Sequence, residues 1–284
     1  MRKMRLAAAW VLFGAAALFA FPAASQSLNF SSTNSQAPIE IFADNGIEWQ
    51  QEKLIFIARG NARAVRGETT IYAQTLRAYY REGKGGSTEI LRIDAETKVR
   101  IVTPTEKSYS ERAVYDVDKG VLVMTGGRPR LVSGPNRIEA DGQLEYWERK
   151  QMAVARGNAL AVRVEKGKTK KIHADVLAAY FKKNKKGKST IYRVEAFDNV
   201  RIITDKDKAR ADRSVYNVKS GIATLTGNVK ISRAGSELNG CSAEVNMNTG
   251  VSTLYSCGKA EGGKRVRGVL MPKSATGEGG NKGR

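Results

Sequence analysis

Cys241 and Cys257 are the only two cysteines of this 284-residue chain, and the residues between them alternate in polarity around Asn248-Thr249-Gly250. That composition suits a three-residue hairpin loop that ends on a left-handed glycine. Such a loop sets Met247 opposite Val251 and Cys241 opposite Cys257. Opposed residues that exchange no hydrogen bonds lie about 4.5 Å apart at Cα, within the span of a disulfide. The cysteine face would also carry Ala243, Val245, Met247, Val251, Thr253 and Tyr255, which places the bridge on the buried side. Closing the loop would stabilise the fold by about 3 kcal/mol. A stable disulfide also requires an oxidising compartment.

Little else in the chain points to catalysis. The single histidine, His173, sits in an alternating run where Ile172 and Ala174 share one face, which makes it an outward-facing strand residue. There is no H-x-x-x-H or C-x-x-C metal spacing, no G-x-S-x-G elbow and no phosphate-cradling glycine loop. The reading is therefore of a non-enzyme, with no catalytic residues, no metal and no cofactor. Charge is the stronger signal. Without Arg2, Lys3 and Arg5 the chain keeps 45 Lys and Arg against 28 Asp and Glu, a net +17. Such a surface attracts anionic partners over long range. Its densest cluster, residues 182–188, falls in a loop between two predicted strands.

The elements that carry these residues repeat. Ala58-Arg59-Gly60-Asn61-Ala62 returns as Ala155-Arg156-Gly157-Asn158-Ala159. Residues 71–80 match 172–181, 99–103 match 200–204, and 111–120 match 212–221. A long internal repeat implies stacked copies of one unit, which extend a surface instead of assembling a catalytic point. Short runs rich in Val, Ile, Thr and Tyr, punctuated by Gly, Asn, Asp or Lys about every ten residues, predict strands throughout. Asp118-Lys119-Gly120 and Lys219-Ser220-Gly221 read as three-residue loops that set Val117 opposite Val121 and Val218 opposite Ile222. The fold class is all-β and antiparallel.

The ends read differently. Basic residues, an apolar run from Leu6 to Phe21 and Ala23-Ala24-Ser25 form a secretory signal over residues 1–25. Export directs the chain to the periplasm and removes most of the case for a nucleic-acid partner. Residues 26–37 form a flexible leader and 273–284 a Gly-rich tail. Between them, 38–272 form one domain, with repeats at about 38–137 and 138–237 and a terminal half unit at 238–272.

Pro38-Ile39-Glu40-Ile41, Arg59-Gly60-Asn61, Leu225-Thr226-Gly227-Asn228-Val229 and the closing run from Gly263 to Pro272 resemble the OstA-like family of periplasmic lipopolysaccharide transport proteins. The resemblance implies an antiparallel β-jellyroll, open at both ends, with an apolar slot along which lipid A acyl chains move. It implies an LptC-like inner-membrane partner at the N-terminal edge, an LptD-like outer-membrane partner at the C-terminal edge, and head-to-tail self-association. Ile39 and Ile41 become slot mouth and docking edge by direct match. The hairpin faces add Tyr115, Val117, Val121, Val123, Tyr216, Val218 and Ile222. Phe56, Ile71, Val99, Ile101, Val200, Ile202, Val229 and Ile231 complete the expected lipid-binding lining. Another OstA-like component, LptC-like or a soluble LptD-like domain, and an exported polyanion-binding β scaffold are the competing readings. For each lining residue, plain core packing competes with lipid contact.

Overall fold

The computed structural model describes residues 39–165, 167–183, 189–205, 207–246, 249, 251–257 and 265–271. The expected signal segment, leader and tail, and residues 184–188 of the lysine loop, lie outside the described residues. Eighteen strands are described. The N-terminal part holds β1 (Glu40–Phe42), β2 (Ile47–Gln50), β3 (Ile55–Arg66), β4 (Thr69–Glu82), β5 (Thr88–Val102) and β6 (Lys107–Asp116). Four short strands follow: β7 (Val121–Thr125), β8 (Arg130–Ser133), β9 (Asn136–Glu139) and β10 (Gln143–Trp147). Then come β11 (Met152–Glu165), β12 (Lys168–Lys183), β13 (Ser189–Ile203), β14 (Asp207–Asn217), β15 (Ile222–Arg233), β16 (Ser236–Asn246), β17 (Ser252–Tyr255) and β18 (Arg267–Val269).

All pairings between these strands are antiparallel and join them into one sheet, matching the expected β-jellyroll class. The short strands occupy shared lines. β7 and β8 both lie against β6, and β9 and β10 both lie against β11. β1 and β2 share the free side of β3, and β17 and β18 share the free side of β16. Long strands thus run side by side from an N-terminal edge to a C-terminal edge.

Each long strand is broken at the same level. Register shifts fall between Arg59 and Ala62, Glu96 and Val99, Arg156 and Ala159, Phe197 and Val200, and Thr226 and Val229. Here consecutive residues take positive φ, as in Gly60-Asn61, Gly157-Asn158 and Gly227-Asn228. Glycine and asparagine tolerate that region, which is why the repeated Gly-Asn pair marks the bend. A methyl group at Gly227 would collide with the Asp212 carboxylate. The aligned bulges divide the sheet into half-sheet I, which holds residues 55–59, 75–79 and 193–197, and half-sheet II, which holds 62–66, 70–72 and 200–203. Their inner faces meet, since one cavity is lined by Leu131 and Ile138 from half-sheet II and by Met124, Leu144 and Phe181 from half-sheet I.

The three predicted hairpin registers are each corrected by one residue. Asp116 pairs with Val121, Asn217 with Ile222 and Val245 with Ser252, so the connections hold four or more residues where three were expected. An Asp or Asn side chain organises each loop. Asp116 accepts a hydrogen bond from the Lys119 N–H at 2.9 Å, Asn217 from Ser220 at 3.2 Å and Asn246 from Thr249 at 3.2 Å. A one-residue slip moves a strand's side chains to the other face. Val121, Val123 and Ile222 therefore lie on the outer face, and so do Thr253 and Tyr255, which pair with the outward Glu244 and Ser242. Leu254 packs inward on Ala243 in their place. The Cys241–Cys257 disulfide is present, with Cα atoms 5.0 Å apart, but it is diagonal instead of directly opposed.

Candidate functional site

Following the pairings across the sheet, the inner face resolves into rows of side chains, one residue per strand. The row beside the bend on half-sheet I runs Ala58, Leu76, Ala95, Ala113, Met124, Leu144, Ala155, Leu177, Ala196, Ser214, Leu225, Ala243 and Leu254. Small and long side chains alternate along much of it, which lets the two walls come close at the bend. One row further out lie Phe56, Ala78, Ile93, Tyr115, Leu122, Tyr146, Ala153, Ala179, Val194, Tyr216, Ala223 and Val245.

Half-sheet II supplies the facing rail. It runs Ile41, Ala64, Ile71, Ile101, Ser108, Leu131, Ile138, Ala161, Ile172, Ile202, Ala209, Ile231, Leu238 and Gly268. Neighbouring strands stand about 4.8 Å apart, so the rail extends over roughly 60 Å. Apart from Ser108, each member is aliphatic or glycine. The packing agrees with this path, because two apolar clusters line it and Ile202 belongs to both.

The placement of the expected lining follows directly. Ile39, Ile41, Ile71, Val99, Ile101, Tyr115, Val117, Val200 and Ile202 pack in the larger cluster, and Val229 and Ile231 in the smaller. Phe56 and Tyr216 occupy the outer row of half-sheet I, and Val218, half-buried, follows Tyr216 beyond the end of β14. Val121, Val123 and Ile222 are the exceptions, for the reason given above. His173 faces outward between Leu160 and Arg201, and burial together with Arg201 and Lys171 holds its pKa below the ordinary value.

Besides Ser108 and Ser214, several polar groups interrupt the apolar interior, among them Glu106, Tyr115, Tyr216 and the buried Arg163. Glu106 lies in the loop between β5 and β6 and lines a cavity of about 60 Å³ with Leu131, Ile138, Leu144 and Phe181. Burial pushes its carboxyl up to about 8, so it is largely neutral at pH 7. Tyr115 donates a hydrogen bond to Glu148 at 3.0 Å. Burial likewise raises the Tyr216 hydroxyl, with nearby Arg163 pulling against it.

Sequence reasoning missed the clamp that fixes the bend. Asn61 donates to Asp44 at 2.7 Å, Asn158 to Asp141 at 2.9 Å, Asn199 to Asp175 at 2.8 Å and Asn228 to Asp212 at 2.9 Å. Each aspartate follows an alanine that points inward: Ala43, Ala140, Ala174 and Ala211. The recurring Ala-Asp dipeptide, like the Gly-Asn pair, was the available signal. Among the described residues, no cluster of His, Cys, Asp and Glu could hold a metal ion.

A family model described as LptA/(LptD N-terminal domain) LPS transport protein matches residues 40–142 and 137–251. A protein of Rhizobium meliloti (strain 1021), described as uncharacterized, is 28% identical over 127 residues, which covers 43% of this chain and 67% of the relative. Among solved structures, the chain is similar to LptH of Pseudomonas aeruginosa, the LptA homologous periplasmic component of the lipopolysaccharide transport device. That match has 11% identity and a TM-score of 0.23, and covers 85% of this chain and all of the other.

Proposed function

The chain belongs to the family of LptA and LptD N-terminal domain lipopolysaccharide transport proteins, and we propose that it carries lipopolysaccharide through the periplasm with the acyl chains of lipid A held between the two half-sheets. The observation that carries this reading is the apolar path from the N-terminal to the C-terminal edge, whose rail is interrupted only at Ser108. Shielding hydrocarbon from water is worth about 0.8 kcal/mol per methylene. A path with few hydrogen-bonding groups offers a chain similar energy at most steps, so the lipid can advance along it.

The edges fit a bridge. Phe42, Ile47 and Trp49 are exposed at the N-terminal edge, and Val266, Val269, Leu270 and Met271 at the C-terminal edge. Among the described residues each edge offers unpaired backbone to another strand, the means by which an LptC-like partner, an LptD-like partner or a second copy would add to the sheet. Ile39 and Ile41 would then form slot mouth and docking edge together.

Photo-crosslinking tests the path. Probes at Ile71, Ile101, Val200 and Ile231 should capture lipopolysaccharide in living cells, and probes at Val123 and Ile222, on the outer face, should not. Capture from the outer positions alone would reject the slot.

A further inference from the structure

The net positive charge is not spread evenly over the molecule. On the outer face of half-sheet II one cross-strand row contains Arg63, Arg100, Arg130, Arg201, Arg210 and Lys230, and reaches Arg267 at the last strand. Glu139 is the one carboxylate in that row. On half-sheet I the outer row beside the bend carries Arg59, Arg112, Arg156 and Arg213 against Glu96, but the next row offsets it with Glu48, Asp94, Glu145, Glu195 and Glu244 against Arg77, and Arg59 and Arg156 are salt-bridged to Glu48 and Glu145. Among the described residues, Lys230 is the single cation of the basic row with a carboxylate in salt-bridge range, Glu237 at 2.6 Å.

The first part of the row alternates arginine with aromatic side chains. Arg63 lies 4.1 Å from the Phe42 ring centroid, Arg100 4.1 Å from Tyr72 and Arg130 4.6 Å from Tyr109. A guanidinium stacked on a ring keeps its N–H edge free for oxygen acceptors such as phosphate. A second row, nearer the free margin of the half-sheet, adds the exposed Lys107, Arg137, Lys171 and Lys208.

Every cation of the first row is next in sequence to a member of the inner apolar rail: Arg100 to Ile101, Arg130 to Leu131, Arg201 to Ile202 and Lys230 to Ile231. The stripe is thus the back of the wall that lines the slot, and it follows the slot from edge to edge. Strands twist by roughly 20° each, so over a dozen strands the stripe turns through more than half a circle. A flat membrane could meet only part of it. The second row carries the charge toward the slot margin along which a headgroup would travel, and charges act over about 8 Å at physiological salt.

Resting on the slot reading above, we infer that this stripe is a second track, which binds the phosphate groups of the lipid headgroup while the acyl chains occupy the interior. The test uses the full chain and two triple variants of equal charge change. One removes Arg100, Arg201 and Arg210 by substitution with Gln. The other removes Arg59, Arg112 and Arg156, on the outer face of half-sheet I, in the same way. Binding is measured to lipopolysaccharide, to dephosphorylated lipopolysaccharide and to inorganic polyphosphate, after thermal melts establish that both variants are folded. The stripe variant should lose about tenfold or more of its affinity for phosphorylated lipopolysaccharide and none for the dephosphorylated form. The control variant should stay near wild type with both. Equal losses in the two variants, or none in either, would overturn the second track while leaving the slot in place. Binding of polyphosphate but of neither lipopolysaccharide would overturn the assignment of the stripe to a lipid headgroup and the slot reading with it.

Discussion

Glu106 is the residue that most departs from its surroundings, a carboxyl among Leu131, Ile138 and Leu144 with its pKa raised to about 8 by burial. A carboxyl that titrates higher in the folded than in the unfolded chain binds more protons when folded between the two values. Stability must then fall as pH rises from about 4.5 to about 8, and the penalty is complete above that range. Glu106→Gln removes the titrating group without changing the volume. Thermal melts should show the variant more stable than wild type at pH 8, by a few kcal/mol, and close to it at pH 4.5. A wild-type melting temperature that does not fall between these values would show that the carboxyl is paired or hydrated.

At the scale of elements, the cysteine hairpin shows what sequence patterns determine. Alternation and the internal repeat located the strands, and the spacing of Cys241 and Cys257 located the bridge, because both depend on local side-chain periodicity. Loop length does not. Three- and four-residue hairpin loops share the same residues, and here Asp116, Asn217 and Asn246 decide by bonding to backbone N–H groups three residues on. The one-residue error turned Val121, Val123 and Ile222 outward. The cross-strand rows were illegible for a related reason, since they depend on the register of every pair at once. The disulfide ties Cys241, on the last long strand, to Cys257, just beyond β17, at the C-terminal edge. Replacing both cysteines with serine should lower stability by about 3 kcal/mol or less. The loss should appear as early fraying of β17, measured by hydrogen exchange, with β3 to β6 unchanged. Uniform loss of protection across the sheet would mean that the edge and the body unfold as one unit.

The described residues form an open sheet folded along one bend, and among them the two edge strands carry backbone with no strand partner on one side. An end-to-end contact between such edges is heterologous and does not close, so it gives concentration-dependent chains instead of a fixed dimer. Deleting residues 264–284 removes β18 and the exposed Val266, Val269, Leu270 and Met271. Light scattering should then find a folded monomer at concentrations where the full chain associates. Undiminished oligomers would place the contact elsewhere. The central claim is that the space between the half-sheets holds lipid, and it is tested most directly by lipid A content. Protein purified from its own cell envelope should carry lipid A detectable by mass spectrometry, and Ile101→Asp, which puts a charge on the rail, should arrive folded and empty. Wild-type protein without lipid A, or an Ile101→Asp variant loaded to the same level, would contradict the account.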